Sequence, residues 1–414
     1  MCESYLVERQ SETMRVVIGA GADALRAAAV LASTGCSVLL LQEAETPSGR
    51  LFPELPEGTG RMYVAGADRA GIERAMGPLV DAPAMRRAVA VRDQMHPVPL
   101  PVAAVPKLFA QTELLDVGRD FIGQRVRNAL IPLTGGGQEE RTYRQWVERR
   151  MGEGAYRHAY ADYAKRRWTL SGDELSVAVA RAHHNPHREE PGQVFGGGHR
   201  ASLDRAVQVI EANGGEIRCG AKVRALKVQD GKVVSARVGR RNIPIEGPLW
   251  VARPHSTVAG WLGDALPTAR HVDARFLAVW DRVQIALPIG KQDLADEVHL
   301  LDAGAPAWRL THVYGGTAWA VFHANVRPDA PNPDLAAIAE QARRLGIQTT
   351  QDAEVRVERF REWVPQWALV VHPRLRQLAL AWSELGLVAV GRRGTFTPVD
   401  AGTEMTVALR HAAG

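Results

Sequence analysis

Apolar positions change their period along this chain, and each change marks an element. Val16, Val17 and Ile18 form a short β-branched run that stops at Gly19, and Leu25 to Ser33 is a helical stretch of small residues. Ser37 to Leu41 is a second apolar run, so the opening predicts strand, helix, strand. A short strand is expected at Val89–Arg92. The prolines that follow it (Pro97, Pro99, Pro101, Pro106) exclude helix interior there. Residues 107–130 and 141–167 have helical periodicity, and Thr142 with Gln145 predicts a capping box. Gly152 and Gly154 are expected to divide the second stretch. Tyr156, Tyr160 and Tyr163 then share one helical face beside Trp168, which fits either core packing or an aromatic wall facing a substrate.

A turn at Gly196-Gly197-Gly198 opens a second unit, with a helix from Ser202 to Asn213 ended by Gly214-Gly215. Beyond these glycines the period falls to two. Glu216–Cys219 and Ala225–Val228 are read as a hairpin, followed by strands Val233–Gly239, after the Asp230-Gly231 turn, and Leu249–Ala252. Strands are also expected at Phe276–Val279, Val283–Leu287, Val298–Leu301, Trp308–Val313, Ala318–His323 and Val355–Phe360, interrupted by a helix from Pro333 to Leu345. A last strand runs from Gly386 to Gly391, and a final helix begins at Gly402 or Thr403.

A chain of 414 residues has room for two or three domains, and 46% hydrophobic with 23% charged residues describes an ordinary globular protein. No apolar run is long enough to span a bilayer. Met1 to Met14 carries three glutamates and no apolar core, so no signal peptide is expected there. Cys2, Cys36 and Cys219 form no paired framework, so a reducing, cytoplasmic setting is expected. His183, His184 and His187 lack carboxylate or thiolate partners at ligand spacing, and no metal is expected. Residues 141–167 carry Arg141, Arg144, Arg149, Arg150, Arg157, Lys165, Arg166 and Arg167. They form either a solvated face or an anion-facing surface for a phosphorylated, carboxylated or nucleic-acid substrate; no nucleic-acid-binding signature accompanies them.

The chemistry concentrates first at Gly19-x-Gly21-x-x-Ala24, between the first strand and a helix opening near Ala22. Gly19 permits the tight turn, Gly21 lets backbone approach a pyrophosphate, and Ala24 lets the helix pack closely on the strand. This is a dinucleotide turn by its context as well as its pattern.

With Ser48-Gly49-Arg50, the 196–252 unit and the 386–408 return, this turn resembles the flavin-containing amine oxidoreductase superfamily. That group includes monoamine oxidases, protoporphyrinogen oxidases, carotenoid desaturases and UDP-galactopyranose mutase. Gly391-Arg392-Arg393-Gly394-Thr395-Phe396 is similar to the ending of the oxidase–mutase branch. The resemblance implies an α/β fold: a Rossmann-like FAD domain from 14–65, 190–255 and 380–414, with an inserted substrate domain of helices and a mixed or antiparallel sheet from 66–189 and 256–379. It implies FAD held by Gly19, Gly21, Ala22, Ala24, Gly49, Arg50 and Gly391, by the Val223 backbone at adenine, and by a helix start at Gly402, Thr403 and Glu404 near the isoalloxazine; Thr403 fits a plain N-cap equally well. In that family an acidic residue normally ends the second strand and takes the ribose hydroxyls. Here Gln42 occupies the ungapped position and Glu43 the next, and Ser48 replaces a glycine. The region Trp280 to Gln284 has no lysine where amine oxidases carry one. Substrate candidates are Arg309, His312, Tyr314, Arg393 and Phe396; no acid–base role is assigned. The implied activity is two-electron oxidation of a C–N or C–C bond. The alternatives are a redox-neutral mutase, isomerase or lyase on a phosphorylated or nucleotide-linked substrate, and a flavin-fold protein without catalysis.

Overall fold

A computed structural model of the chain describes residues 14–47, 66–82, 86–98, 113–120, 122–123, 139–183, 192–275, 277–313, 318–350, 354–396 and 401–413. Ser48, Gly49, Arg50 and Tyr314 lie outside these residues, as do the side chains of Arg392, Gly402, Thr403 and Glu404.

Five strands pair in parallel, in the order Leu387–Ala389, Leu249–Ala252, Arg15–Gly19, Val38–Gln42, Glu216–Arg218. Their near-continuous apolar sequence follows from burial on both faces. Val17, Val38, Leu40 and Trp250 face a helical layer that contains Ala22–Ala32, Gly66–Met76, Gly198–Ala212 and Ala401–Ala413. Val16, Ile18, Leu39, Leu41 and Val251 face the opposite core. There lies an antiparallel sheet of Val223–Gln229, Lys232–Val238 and Arg241–Pro244. Asp230 and Gly231 close its hairpin with φ of 50° and 73°, the left-handed pair a two-residue turn needs.

One expectation changes here. Glu216–Arg218 does not form a hairpin with the next strand; it pairs in parallel with Val38–Gln42. Alternation specifies a strand but not its partner, and this partner is remote in sequence.

The second large sheet has seven strands, ordered Arg356–Pro365, Val279–Ile289, Ala318–Val326, Arg309–Val313, Glu297–Leu300, Arg87–Val91, Gln94–Val98. The last strand holds Pro97 at the sheet edge, where its missing N–H breaks no interior ladder. The two strands expected at Phe276–Val279 and Val283–Leu287 are one, Val279–Ile289. One face buries Val283, Ile285, Leu287, Leu310 and Phe322 with Ile338 of the helix Leu335–Arg344. The other face meets the helical segment 143–168. Thr142 caps that segment with the reciprocal Gln145 bonds, and Gly152, at φ 93°, divides it. Gly154 sits inside the second part, which continues through a π-turn at Tyr156–Tyr160 into Ala161–Trp168. No helix among the described residues is long and apolar enough to cross a membrane.

Candidate functional site

The carboxyl ends of the parallel strands converge on the glycine turn. A Cβ on Gly19 would lie 2.2 Å from the Ala24 Cβ and 3.2 Å from that of Ala252, so only glycine lets the first helix seat on its strand. Gly21 has φ 119°, a conformation that L side chains rarely adopt. Gly391, at φ 71°, sits against the same helix; a Cβ there would lie 2.9 Å from the Asp23 Cβ. The short helix Gly391–Thr395 then carries Arg393 back to the turn, where its Nη2 donates to the Ala20 carbonyl at 2.7 Å. The same nitrogen is 3.9 Å from the place a Gly21 Cβ would take. Arg393, expected among substrate residues, therefore belongs to the glycine turn.

Gln42 has a different role from the one expected. Its side chain is fully buried: Oε1 accepts the Gly21 N–H at 2.8 Å, and Nε2 donates to the Gly21 carbonyl at 3.1 Å and the Pro47 carbonyl at 2.6 Å. Both amide protons are used on the backbone, so Gln42 braces the turn and does not present itself to a ribose. Glu43 is more open. Its carboxylate meets Arg253 Nη1 at 3.0 Å and Lys222 Nζ at 3.8 Å. Val223 begins the neighbouring hairpin, paired with Val238.

This crevice suits FAD at two points. The first-turn N–H groups of Ala22 and Asp23 have no intrahelical acceptor, and the Arg393 guanidinium stands beside them, a cationic seat for pyrophosphate. Glu43, the next residue, carries a carboxylate at the same strand end, paired with Arg253 and Lys222.

Strand register builds the second centre. The aligned pairs Gln284–His323, Arg282–Asn325, Arg309–His323, His299–Arg309, Glu297–Thr311 and Glu297–Arg87 put all these side chains on one face of the seven-stranded sheet. Tyr163 and Arg167 descend on that face from the Ala161–Trp168 helix. The Tyr163 hydroxyl lies 2.7 Å from His299 Nδ1 and accepts from Arg167 Nη1 at 2.7 Å. Arg309 Nη1 meets Glu297 Oε1 at 3.1 Å, with His299 Nε2 3.6 Å from the same oxygen. Trp308 lies among three guanidinium groups: Arg167 at 4.8 Å, Arg309 at 4.8 Å and Arg282 at 5.5 Å from its ring centre. Two buried donors, Trp308 Nε1 and Arg309 Nε, have no acceptor among the described residues.

Electrostatics sort the titratable groups. Burial raises the Glu297 carboxyl, but His299, Arg309, Arg167 and Arg87 more than offset it and lower it to about 2. His299 is lowered to about 4, by burial first, against the opposing pull of Glu297. Burial also holds His323 well below its ordinary value, and Thr311 Oγ1 lies 2.7 Å from its Nε2. The face thus holds ionised arginines, an ionised glutamate and neutral imidazoles.

Of the candidate substrate residues, Arg309 alone is described on this face. His312 has the opposite parity and is buried on the reverse side, aligned with Ala320 of the core. That separation corrects its grouping with Arg309. Phe396 is buried near His255, with ring centres 6.2 Å apart. Sequence reasoning missed Arg167 as an individual, Trp308, Glu297, His299 and Arg282, which only register brings together.

Neither a protein-family model nor a curated protein matches the sequence. Solved structures match the fold. Reduced UDP-galactopyranose mutase superposes with a TM-score of 0.75 at 12% identity, over 97% of this chain and 93% of that one. An oxidoreductase from Methanosarcina mazei gives 0.66 at 17% identity, over 97% and 99% of the two chains. Cyclohexylamine oxidase from Brevibacterium oxydans gives 0.60 at 12% identity, over 97% and 100%. The protein thus shares the fold of these solved structures, with a parallel sheet, a helical layer and a second mixed sheet.

Proposed function

We propose that this chain is an FAD-dependent oxidoreductase that removes two electrons from a C–N or C–C bond of an anionic small molecule. The glycine turn with Arg393 at its mouth carries the cofactor half of this reading. The first helical turn and Arg393 hold the pyrophosphate, Glu43 accepts the ribose hydroxyls, and Gln42 keeps the turn rigid. FAD, when bound, supplies the two-electron acceptor.

The chain's own residues then orient the substrate. Arg167, Arg282 and Arg309 attract its anionic end, and the unmatched N–H groups of Trp308 and Arg309 supply directed donors. Glu297 fixes Arg309 and, with Tyr163, fixes His299. The Ala161–Trp168 helix covers the face and limits water, so these charges act in a low-dielectric setting. Positioning accounts for the chain's part in the reaction.

One observation favours a second reading. Three arginines around a tryptophan suit a phosphorylated or nucleotide-linked substrate, and the superposed mutase is named for such a sugar nucleotide. A redox-neutral isomerisation then replaces net oxidation. Anaerobic titration with anionic amines and unsaturated acids separates the two. Bleaching of the flavin by substrate alone supports oxidation; turnover only after dithionite reduction, without oxygen uptake, supports isomerisation.

A further inference from the structure

Arg253 stands one residue beyond the Leu249–Ala252 strand, and Glu43 one residue beyond Val38–Gln42. Those strands flank Arg15–Gly19 on opposite sides. Their 3.0 Å ion pair therefore crosses the carboxyl end of the central strand, above Gly19. The other nitrogen of the same guanidinium, Nη2, meets Glu362 Oε2 at 3.0 Å. Glu362 belongs to the seven-stranded sheet, so one cation ties a carboxylate of each large sheet across the crevice.

The seat of Glu362 is built for this reach. The Arg356–Pro365 strand bulges opposite Asp281, where Glu362 takes φ 52° and its N–H donates to Asp281 Oδ1 at 2.9 Å. Asp281 is itself buried and held by Arg359 Nε at 2.7 Å. Arg253 is 12% exposed, and its Nε is buried without a hydrogen-bond partner among the described residues. A dinucleotide lying over the carboxyl ends of these strands has to pass the Arg253–Glu43 pair.

We propose that Arg253 is a latch on this crevice: it ties Glu43 to Glu362 and competes with the ribose hydroxyls of a dinucleotide for the Glu43 carboxylate. The inference rests on the reading that the crevice takes FAD. Taking up the hydroxyls costs an ion pair, so the latch lowers cofactor affinity.

The test is titration of the purified full chain with FAD, read as quenching of flavin fluorescence. Arg253→Met keeps the stem and removes the charge; it is expected to bind FAD about tenfold more tightly. Arg253→Lys, which cannot fork between two carboxylates, is expected between wild type and Met, and reports should the Met variant fail to fold. Glu43→Gln removes the ion pair together with the ribose acceptor, so it is expected to bind more weakly than Arg253→Met, and adding Arg253→Met to it is expected to bring no further gain. Unchanged or weaker binding by the Arg253 variants, with wild type binding normally, overturns the latch and leaves the cofactor reading standing. Failure of wild type and every variant to bind FAD overturns the cofactor reading itself, and the latch with it.

Discussion

The side-chain oxygen of Gln42 accepts the Gly21 N–H at 2.8 Å, while the same amide donates to the Gly21 carbonyl at 3.1 Å. This two-way bond takes up the residue that begins the first helix, and it gives a counterintuitive prediction. Gln42→Glu places the expected acid at the end of the second strand, yet it leaves the Gly21 and Pro47 carbonyls facing a carboxylate with no proton to give. The side chain is fully buried, so the change is expected to cost about 2–4 kcal/mol and to lower the thermal midpoint. Differential scanning calorimetry decides it; an unchanged midpoint would falsify the bracing role.

Gly21 lies at φ 119°, so Gly21→Val strains the turn and puts a branched side chain towards Arg393. Flavin affinity is expected to fall by about tenfold or more, while circular dichroism stays close to wild type. A folded Val variant with full flavin content means that the pyrophosphate lies elsewhere.

Stability falls on acidification. His199, His255 and His299 are each lowered from 6.5 to about 4, with burial the largest cause in all three. Between pH 6.5 and 4 the unfolded chain binds protons that the folded chain refuses, so stability is full above pH 6.5 and is lost as pH falls through that window. Glu297, lowered from 4.5 to about 2, extends the loss between 4.5 and 2. His255 accepts from Trp382 Nε1 at 2.6 Å and stacks on its ring. His255→Phe keeps a ring but binds no proton; its melting temperature is expected to be lower at pH 7.5 and to fall less steeply towards pH 5. A slope equal to wild type removes His255 from the explanation.

Anions are expected to stabilise the folded chain through the arginine face. Pyrophosphate at millimolar concentration, added to the chain already saturated with FAD so that the glycine turn is taken, is predicted to raise the melting temperature of wild type further, by mass action on the native state alone. Arg309→Met is predicted to abolish most of that rise, with Arg237→Met, on the antiparallel hairpin, as the control that keeps it. Equal rises in both variants point to a general salt effect.

Much of the cofactor half is legible in sequence, because the glycines, the apolar strands and the small-residue helix are local signals. Leu249–Ala252 is found with its exact limits for that reason. The helices His255–Leu262, Thr268–Arg275 and Val371–Glu384 carry no strong cap or period and stay hidden. The substrate face is harder still. Arg309 and His312 are three residues apart on one strand, yet opposite parity sends them to different cores. Arg167 and Trp308, 141 positions apart in sequence, are neighbours only through the packing of the helix on the sheet. Such long-range register leaves no mark in the residues themselves.

The central claim, that a flavin dinucleotide occupies the crevice between Gly21, Arg393 and Glu43, is tested most directly by cofactor stoichiometry. The purified chain is saturated with FAD, freed of excess by gel filtration, denatured, and its released nucleotide identified and counted. One FAD per chain, with FMN and NAD not retained, is the predicted result. A colourless chain that retains no flavin after saturation contradicts the account.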